Sequence, residues 1–208
     1  GATAVNGEGV NYVNSEDALI RVGNSRVWAQ STANGGFKKP EGLALDLFSE
    51  ENRFAVADTQ NNRIQLFSFN PETGAITFIS AYGTKSPTPG IAADPETFST
   101  PSALDFAPDG SILVADKGNY RVAALTFDGS SWTWVASYDF TEKDIITSVA
   151  CGMDEFADGF LIANDGQERQ CISFHSKSAF SPDPSVNLGI DSENEFDTPK
   201  DVKFWTVD

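Results

Sequence analysis

The residues of this chain that could do chemistry recur at fixed intervals. Asp58 is followed five residues later by Arg63, and Asp116 by Arg121, with Asn61 and Asn119 at matching places between them. A carboxylate, an amide and a guanidinium at that spacing could grip an anion or move a proton. Recurrence argues for a different use, in which the acid and the arginine stabilise a turn while the arginine stem packs along the chain. A group that supports every unit repeats with the unit, whereas a catalytic group usually breaks the repeat.

The other candidates have bland readings too. His175 is the single histidine and alternates with Cys171 and Ser173. No motif sets a nucleophile or an orienting acid beside it, so it reads as a partly exposed strand residue. The run Asp191-Ser192-Glu193-Asn194-Glu195-Phe196-Asp197 is dense in oxygen ligands of the kind calcium takes about six to eight at a time. It lacks the mid-loop glycine and terminal bidentate acid as a set, and reads as a solvated acidic linker. Cys151 and Cys171 are expected on the first and third strands of one unit. Two strand spacings of ~4.8 Å exceed the ~7 Å that a disulfide spans, so two free thiols are expected. The sequence therefore assigns no catalytic, cofactor-binding or metal-binding residue and no cofactor.

Composition narrows the function classes further. The 208 residues carry 30 Asp+Glu against 14 Lys+Arg, a formal net charge of −16. That balance argues against nucleic-acid partners and anionic membrane surfaces, both of which need a cationic footprint. One histidine excludes a site built from several imidazoles, and two cysteines exclude a four-thiolate zinc site. No run of ~18 apolar residues exists to span a membrane. Gly1 in place of Met leads us to expect a processed or excised chain. Strong acidity with few lysines leans toward an extracellular or cell-envelope setting.

The elements that must position these residues are short. Phe54-Ala55-Val56-Ala57, Ile112-Leu113-Val114-Ala115 and Phe160-Leu161-Ile162-Ala163 are each followed by Asp or Asn, and turn signals such as Pro108-Asp109-Gly110 separate the runs. No stretch holds a sustained 3.6-residue apolar period, so the class is all-β. A longer period organises the strands. Phe-x-x-Pro occurs at Phe37–Pro40, Phe98–Pro101 and Phe196–Pro199, with Ile146 in the proline place of a degenerate copy. From each start come a first strand, a hairpin, a second strand ending at Asp58, Asp116 or Asn164, and an arginine five residues on (Arg63, Arg121, Arg169). A third strand and a weaker fourth follow. Four strands per unit, repeated radially, is a β-propeller blade. One domain over 1–208 is expected, with blades at 40–82, 101–138 and 146–190. A last blade would be shared by the termini, 199–208 plus 1–32, with Val10–Asn14, Ala18–Val22 and Arg26–Ala29 supplying its second to fourth strands.

Val56-Ala57-Asp58-Thr59-Gln60-Asn61-Asn62-Arg63-Ile64 and Val114-Ala115-Asp116-Lys117-Gly118-Asn119-Tyr120-Arg121-Val122 resemble the NHL repeat. The third copy departs with Asn164 and Gln167-Glu168, and the fourth has Leu19 in the arginine place. The resemblance implies a propeller, commonly of six blades. It also implies relatives that bind protein or RNA, act as extracellular sensors, or cleave peptidylglycine-type substrates at a zinc held by histidines. The acidic balance disfavours the RNA role, and a single histidine disfavours the zinc lyase.

The expected function is a non-catalytic interaction or structural module, extracellular and open to self-assembly, with a protein or a second copy as partner. Two features could carry that contact: the long 83–100 connection, and Trp132 with Trp134 on one face of an outer strand. Edge-strand packing accounts for the tryptophans equally well. The alternative is a calcium-dependent propeller hydrolase resembling lactonases, using carboxylates and amides at a central channel.

Overall fold

The computed structural model describes residues 30–90, 94–166, 170–181 and 199–203, together with the backbone of 20–22, 25–27 and 187–188. A short antiparallel hairpin comes first, β1 (Ile20–Val22) with β2 (Ser25–Val27). Three four-stranded antiparallel sheets follow. The first holds β3 (Gly42–Leu45), β4 (Arg53–Asp58), β5 (Arg63–Phe69) and β6 (Ile76–Tyr82) in sequence order. A small parallel pair, β7 (Thr84–Lys85) with β8 (Thr97–Phe98), lies in the crossover to the next unit. The second sheet holds β9 (Pro101–Phe106), β10 (Ser111–Asp116), β11 (Arg121–Phe127) and β12 (Trp132–Asp139). The third holds β13 (Ile146–Cys151), β14 (Gly159–Asp165), β15 (Gln170–Ser176) and β16 (Asn187–Leu188).

Each hairpin is set by local chemistry. Asp46 Oδ1 accepts the N–H groups of Phe48 and Ser49 between β3 and β4. Asn70 Oδ1 does the same for Glu72 and Thr73 between β5 and β6. Asp109 and Gly110 turn β9 into β10, the glycine at a φ of 82° that a side chain would resist.

The sheets are propeller blades, and no sheet closes on itself. Their apolar faces stack into two buried clusters, one between the first and second blades and one between the second and third. The first strands run innermost, and they approach closely. A Cβ on Gly42 would sit 2.7 Å from the Cα of Ala103 and 2.9 Å from the carbonyl oxygen of Ser102. Glycine at this position lets β3 lie against β9.

The expected fourth blade falls largely outside the described residues, as do Arg169, the acidic run 191–197 and Phe196. Of that blade, 199–203 are described and lie beside β13 in irregular conformation. Thr147 Oγ1 donates to Pro199 O at 2.8 Å, and Ser148 Oγ donates to Asp201 Oδ1 at 2.8 Å.

Candidate functional site

The repeated acid and arginine form a staple. Asp58 Oδ1 accepts the N–H of Lys38 at 2.7 Å, and Oδ2 accepts Asn61 Nδ2 and Arg63 Nε, both at 2.8 Å. The guanidinium then reaches back to the carbonyls of Thr32, Ala33 and Gly36 in the entering loop. Asp116 repeats the pattern one blade on. It accepts Ser99 N at 2.7 Å, Asn119 Nδ2 at 2.7 Å and Arg121 Nε at 2.9 Å. Arg121 Nη2 donates to Thr97 O at 2.6 Å, and the guanidinium lies 4.7 Å over Trp134. The motif thus ties the loop entering each blade to the end of that blade's second strand. Burial pushes the Asp116 carboxyl up to about 6, against the opposing pull of the Ser99 N–H and Arg121. In the third blade Asn164 keeps the role: its Oδ1 accepts Ile145 N and Gly166 N, and its Nδ2 donates to Asp144.

The other sequence candidates are absorbed into packing. His175 is buried, not partly exposed as its strand position suggested. Nδ1 lies 2.9 Å from the Ser181 carbonyl, which can only accept, so Nδ1 carries the proton and Nε2 accepts from Ser173 Oγ at 2.8 Å. Phe140 and Phe160 close over the ring. Both cysteines are free and buried, as expected, and burial pushes the Cys151 thiol well up. Trp132 donates from Nε1 to Ser80 Oγ of the neighbouring blade at 2.9 Å, and Trp134 packs on Phe98. The packing reading of the two tryptophans holds. The 83–100 connection is held by the Asp116–Arg121 staple, and Gly90 N donates to Asn119 Oδ1.

Two cavities mark the channel between the innermost strands. A polar one of about 280 Å³ is lined by residues at the strand starts, among them Glu41, Ser102, Thr147, Lys200 and Asp201. An apolar one of about 300 Å³ opens at the strand ends, between Leu45, Leu47, Phe48, Met153, Asp105 and Lys203. Asp105 stands where the sister strands carry Ala44 and Ala150, so it breaks the repeat. Its carboxylate accepts Cys151 N at 2.8 Å and Phe106 N at 3.0 Å, and burial holds its pKa above the usual carboxylate range. Sequence reasoning missed Asp105, although an acid between Leu104 and Phe106 in an inner strand was a visible signal.

The hairpins at the apolar end form a distinct surface. Leu47 is 76% exposed and Phe48 next to it is exposed, while Phe156, edge-on to Phe174, is exposed on the hairpin between β13 and β14. The hairpins 46–52, 107–110 and 152–158 at this end contain Asp46, Glu50, Glu51, Asp109, Asp154, Glu155 and Asp158 and neither Lys nor Arg, while Arg53 and Lys177 beside them pair with Asp46, Glu51 and Asp109. Among the described residues, no three His, Cys, Asp or Glu side chains gather as a metal ion would require, and no helix is long and apolar enough to cross a membrane.

No family model matches the chain, and no curated protein does. Solved structures are similar to parts of it. A periplasmic gluconolactonase from Pseudomonas aeruginosa is 15% identical, matched over 84% of this chain and 51% of its own, with a TM-score of 0.48. A putative 6-phosphogluconolactonase from Bacteroides uniformis is 12% identical over 74% of this chain and 42% of its own, with a TM-score of 0.49. A functionally unknown protein from Desulfotomaculum acetoxidans is 15% identical over 69% and 41%, also with a TM-score of 0.49. The chain spans about half or less of the length of each. At these identities and TM-scores the likeness does not carry chemistry across.

Proposed function

We propose that this chain is an NHL-like propeller module that binds a protein partner at the hairpin end of its channel, outside the cytosol. The observation that carries the reading is the exposed Leu47, Phe48 and Phe156 on hairpins with seven carboxylates, of which only Asp46, Glu51 and Asp109 are paired, with Arg53 and Lys177, among the described residues. Apolar anchors supply affinity when a partner desolvates them, and a predominantly acidic rim selects and steers the partner. The matching partner presents an aliphatic or aromatic side chain flanked by Lys or Arg. The repeat supports the same division of labour, because its recurring polar groups are engaged in the staples while Asp105, which departs from it, lines the channel cavity.

Selection from a displayed peptide library tests this. The chain is expected to enrich basic peptides with an apolar centre, to release them as salt rises, and to lose them on Leu47→Ser with Phe48→Ser. Enrichment indifferent to charge, or unaffected by the double substitution, would sink the reading. The hydrolase alternative makes its own demand on the channel: calcium must raise the melting temperature and support cleavage of a lactone. A calcium-dependent melting shift with lactone turnover would replace the binding reading with that one.

A further inference from the structure

The apolar channel cavity holds a carboxylate whose acceptor capacity the fold leaves partly free. At about 300 Å³ the cavity has the size for one long side chain rather than for a folded segment. Its walls include Leu43, Leu47, Phe48 and Met153, and its charged side chains among the described residues are Asp105 and Lys203. Backbone donors from two strands fix Asp105: Phe106 N on Oδ1 at 3.0 Å and Cys151 N on Oδ2 at 2.8 Å. A carboxylate offers about four acceptor sites. Each oxygen therefore keeps room for a further donor, and no side chain among the described residues supplies one. Burial raises the Asp105 pKa, and the Cys151 N–H and the charge of Lys203 pull it partway back. Lys203 is exposed and acts on the carboxylate through space, with no ion pair between them.

We propose that this cavity is the anchor pocket of the partner surface and takes one lysine side chain, its stem along the apolar walls and its ammonium on Asp105. The inference rests on the partner reading above and names the side chain that enters. Charge selects a cation. The hairpins that supply Phe48 and Met153 also carry Glu50, Asp154 and Glu155, none of them in an ion pair among the described residues, and the whole chain has a net charge of −16. Cations are drawn to such an end. The walls select a long apolar stem, because lysine lays its methylenes on apolar surface while the ammonium seeks an acceptor. The acceptor geometry favours lysine over arginine. An ammonium is a compact point charge, whereas a guanidinium fork asks for both oxygens together, and here each oxygen is already held by the N–H of a different strand. The repeat gives the acid no other use, since Ala44 and Ala150 fill its place in the first and third blades. A partly buried carboxylate is unfavourable until an opposite charge reaches it.

Met153 is the single methionine of the chain, so its isotope-labelled methyl group reports on the cavity as one nuclear magnetic resonance signal. The full-length protein is titrated with n-butylammonium, which is the lysine side chain on its own, and with n-butanol, its neutral match. The expected result is a saturable shift with the ammonium, and binding at least about 10-fold weaker for the alcohol or for Asp105→Asn. Lys203→Met should tighten ammonium binding by about 2–5-fold, because a like charge leaves the cavity. An equal response to butanol, or a shift that Asp105→Asn leaves unchanged, would overturn the proposal. A peptide selected on the wild-type chain is then compared with analogues in which each lysine in turn becomes norleucine, which keeps the stem and removes the ammonium. A loss of about 10-fold at one lysine, absent when the same pair is measured on Asp105→Asn, supports the pocket. Peptides indifferent to norleucine at every lysine overturn the pocket and leave the partner surface standing. Failure to select any peptide overturns the partner reading, and the ammonium titration alone then decides whether the cavity is a cation site.

Discussion

Arg121→Met is the sharpest test of the staple. The guanidinium is 2% exposed and its carboxylate partner Asp116 is 0% exposed, so neither can recover hydration when the other is lost. Methionine keeps much of the stem volume but removes the bonds to Asp116 and Thr97 and the stack on Trp134. Leaving one partner of a buried ion pair uncompensated costs about 3–5 kcal/mol. In a chain of this size each kcal/mol moves the melting temperature by about 2–4 °C, so a fall of roughly 6–20 °C is expected. Adding Asp116→Asn removes the stranded charge while keeping an acceptor for Ser99 N, and the double variant is expected to regain about half of the loss. Acid should act in the same sense. Without Arg121 the Asp116 carboxyl rises above its present value of about 6, while the unfolded chain stays near 3.8. A raised pKa contributes stability at low pH that is lost as pH rises through it, so the single variant should become more stable from pH 8 down to pH 5. Circular dichroism melts across that range measure both effects. A melting temperature within about 2 °C of wild type, or a double variant no better than the single, would refute the reasoning.

Three further outcomes follow from other sites. Gly42→Ala drives a Cβ into the backbone of Ala103 and should cost about 1–3 kcal/mol by forcing the inner strands apart, measured by urea unfolding. Asp105→Asn should melt higher than wild type at pH 8, with the gap closing as pH falls and the wild-type carboxyl takes up its proton, because burial raises that pKa. Burial alone would raise the Asp46 carboxyl too, but the bonds from Arg53 and Ser49 outweigh it and hold the pKa low. Stability from Asp46 is therefore present above pH ~3.8 and lost below it, and Arg53→Ala should weaken this acid-sensitive component in a pH-resolved melt.

Much of the fold was legible because it is written several times. The spacing from Asp58 to Arg63 recurs at Asp116 and Arg121, and each copy marks the turn between the second and third strands of a blade. Ile146 was recognisable as a strand start without proline because Val149 and Cys151 keep the apolar alternation behind it. His175 was misread for the opposite reason. Its own strand shows only alternation, whereas Phe140 and Ser181, which bury it and fix its tautomer, lie in other segments that no local pattern connects to it.

Asp105 belongs to the same class of blindness, and it shows where a repeat protein hides individuality. Its neighbours Leu104 and Phe106 obey the repeat and carry the core of the first interface, so the strand must form whatever stands between them. The side of β9 that Asp105 occupies faces the third blade, and Ala44 and Ala150 show that a small apolar residue suffices at this place in the first and third blades. A carboxylate there costs desolvation and recovers it partly through the N–H groups of Cys151 and Phe106. The repeat supplies the framework that tolerates this cost, and the charge it admits opens into the apolar end of the channel beside Lys203. A residue that the fold does not require, at the end that carries the exposed apolar hairpins, ties this departure from the repeat to the surface proposed to meet a partner.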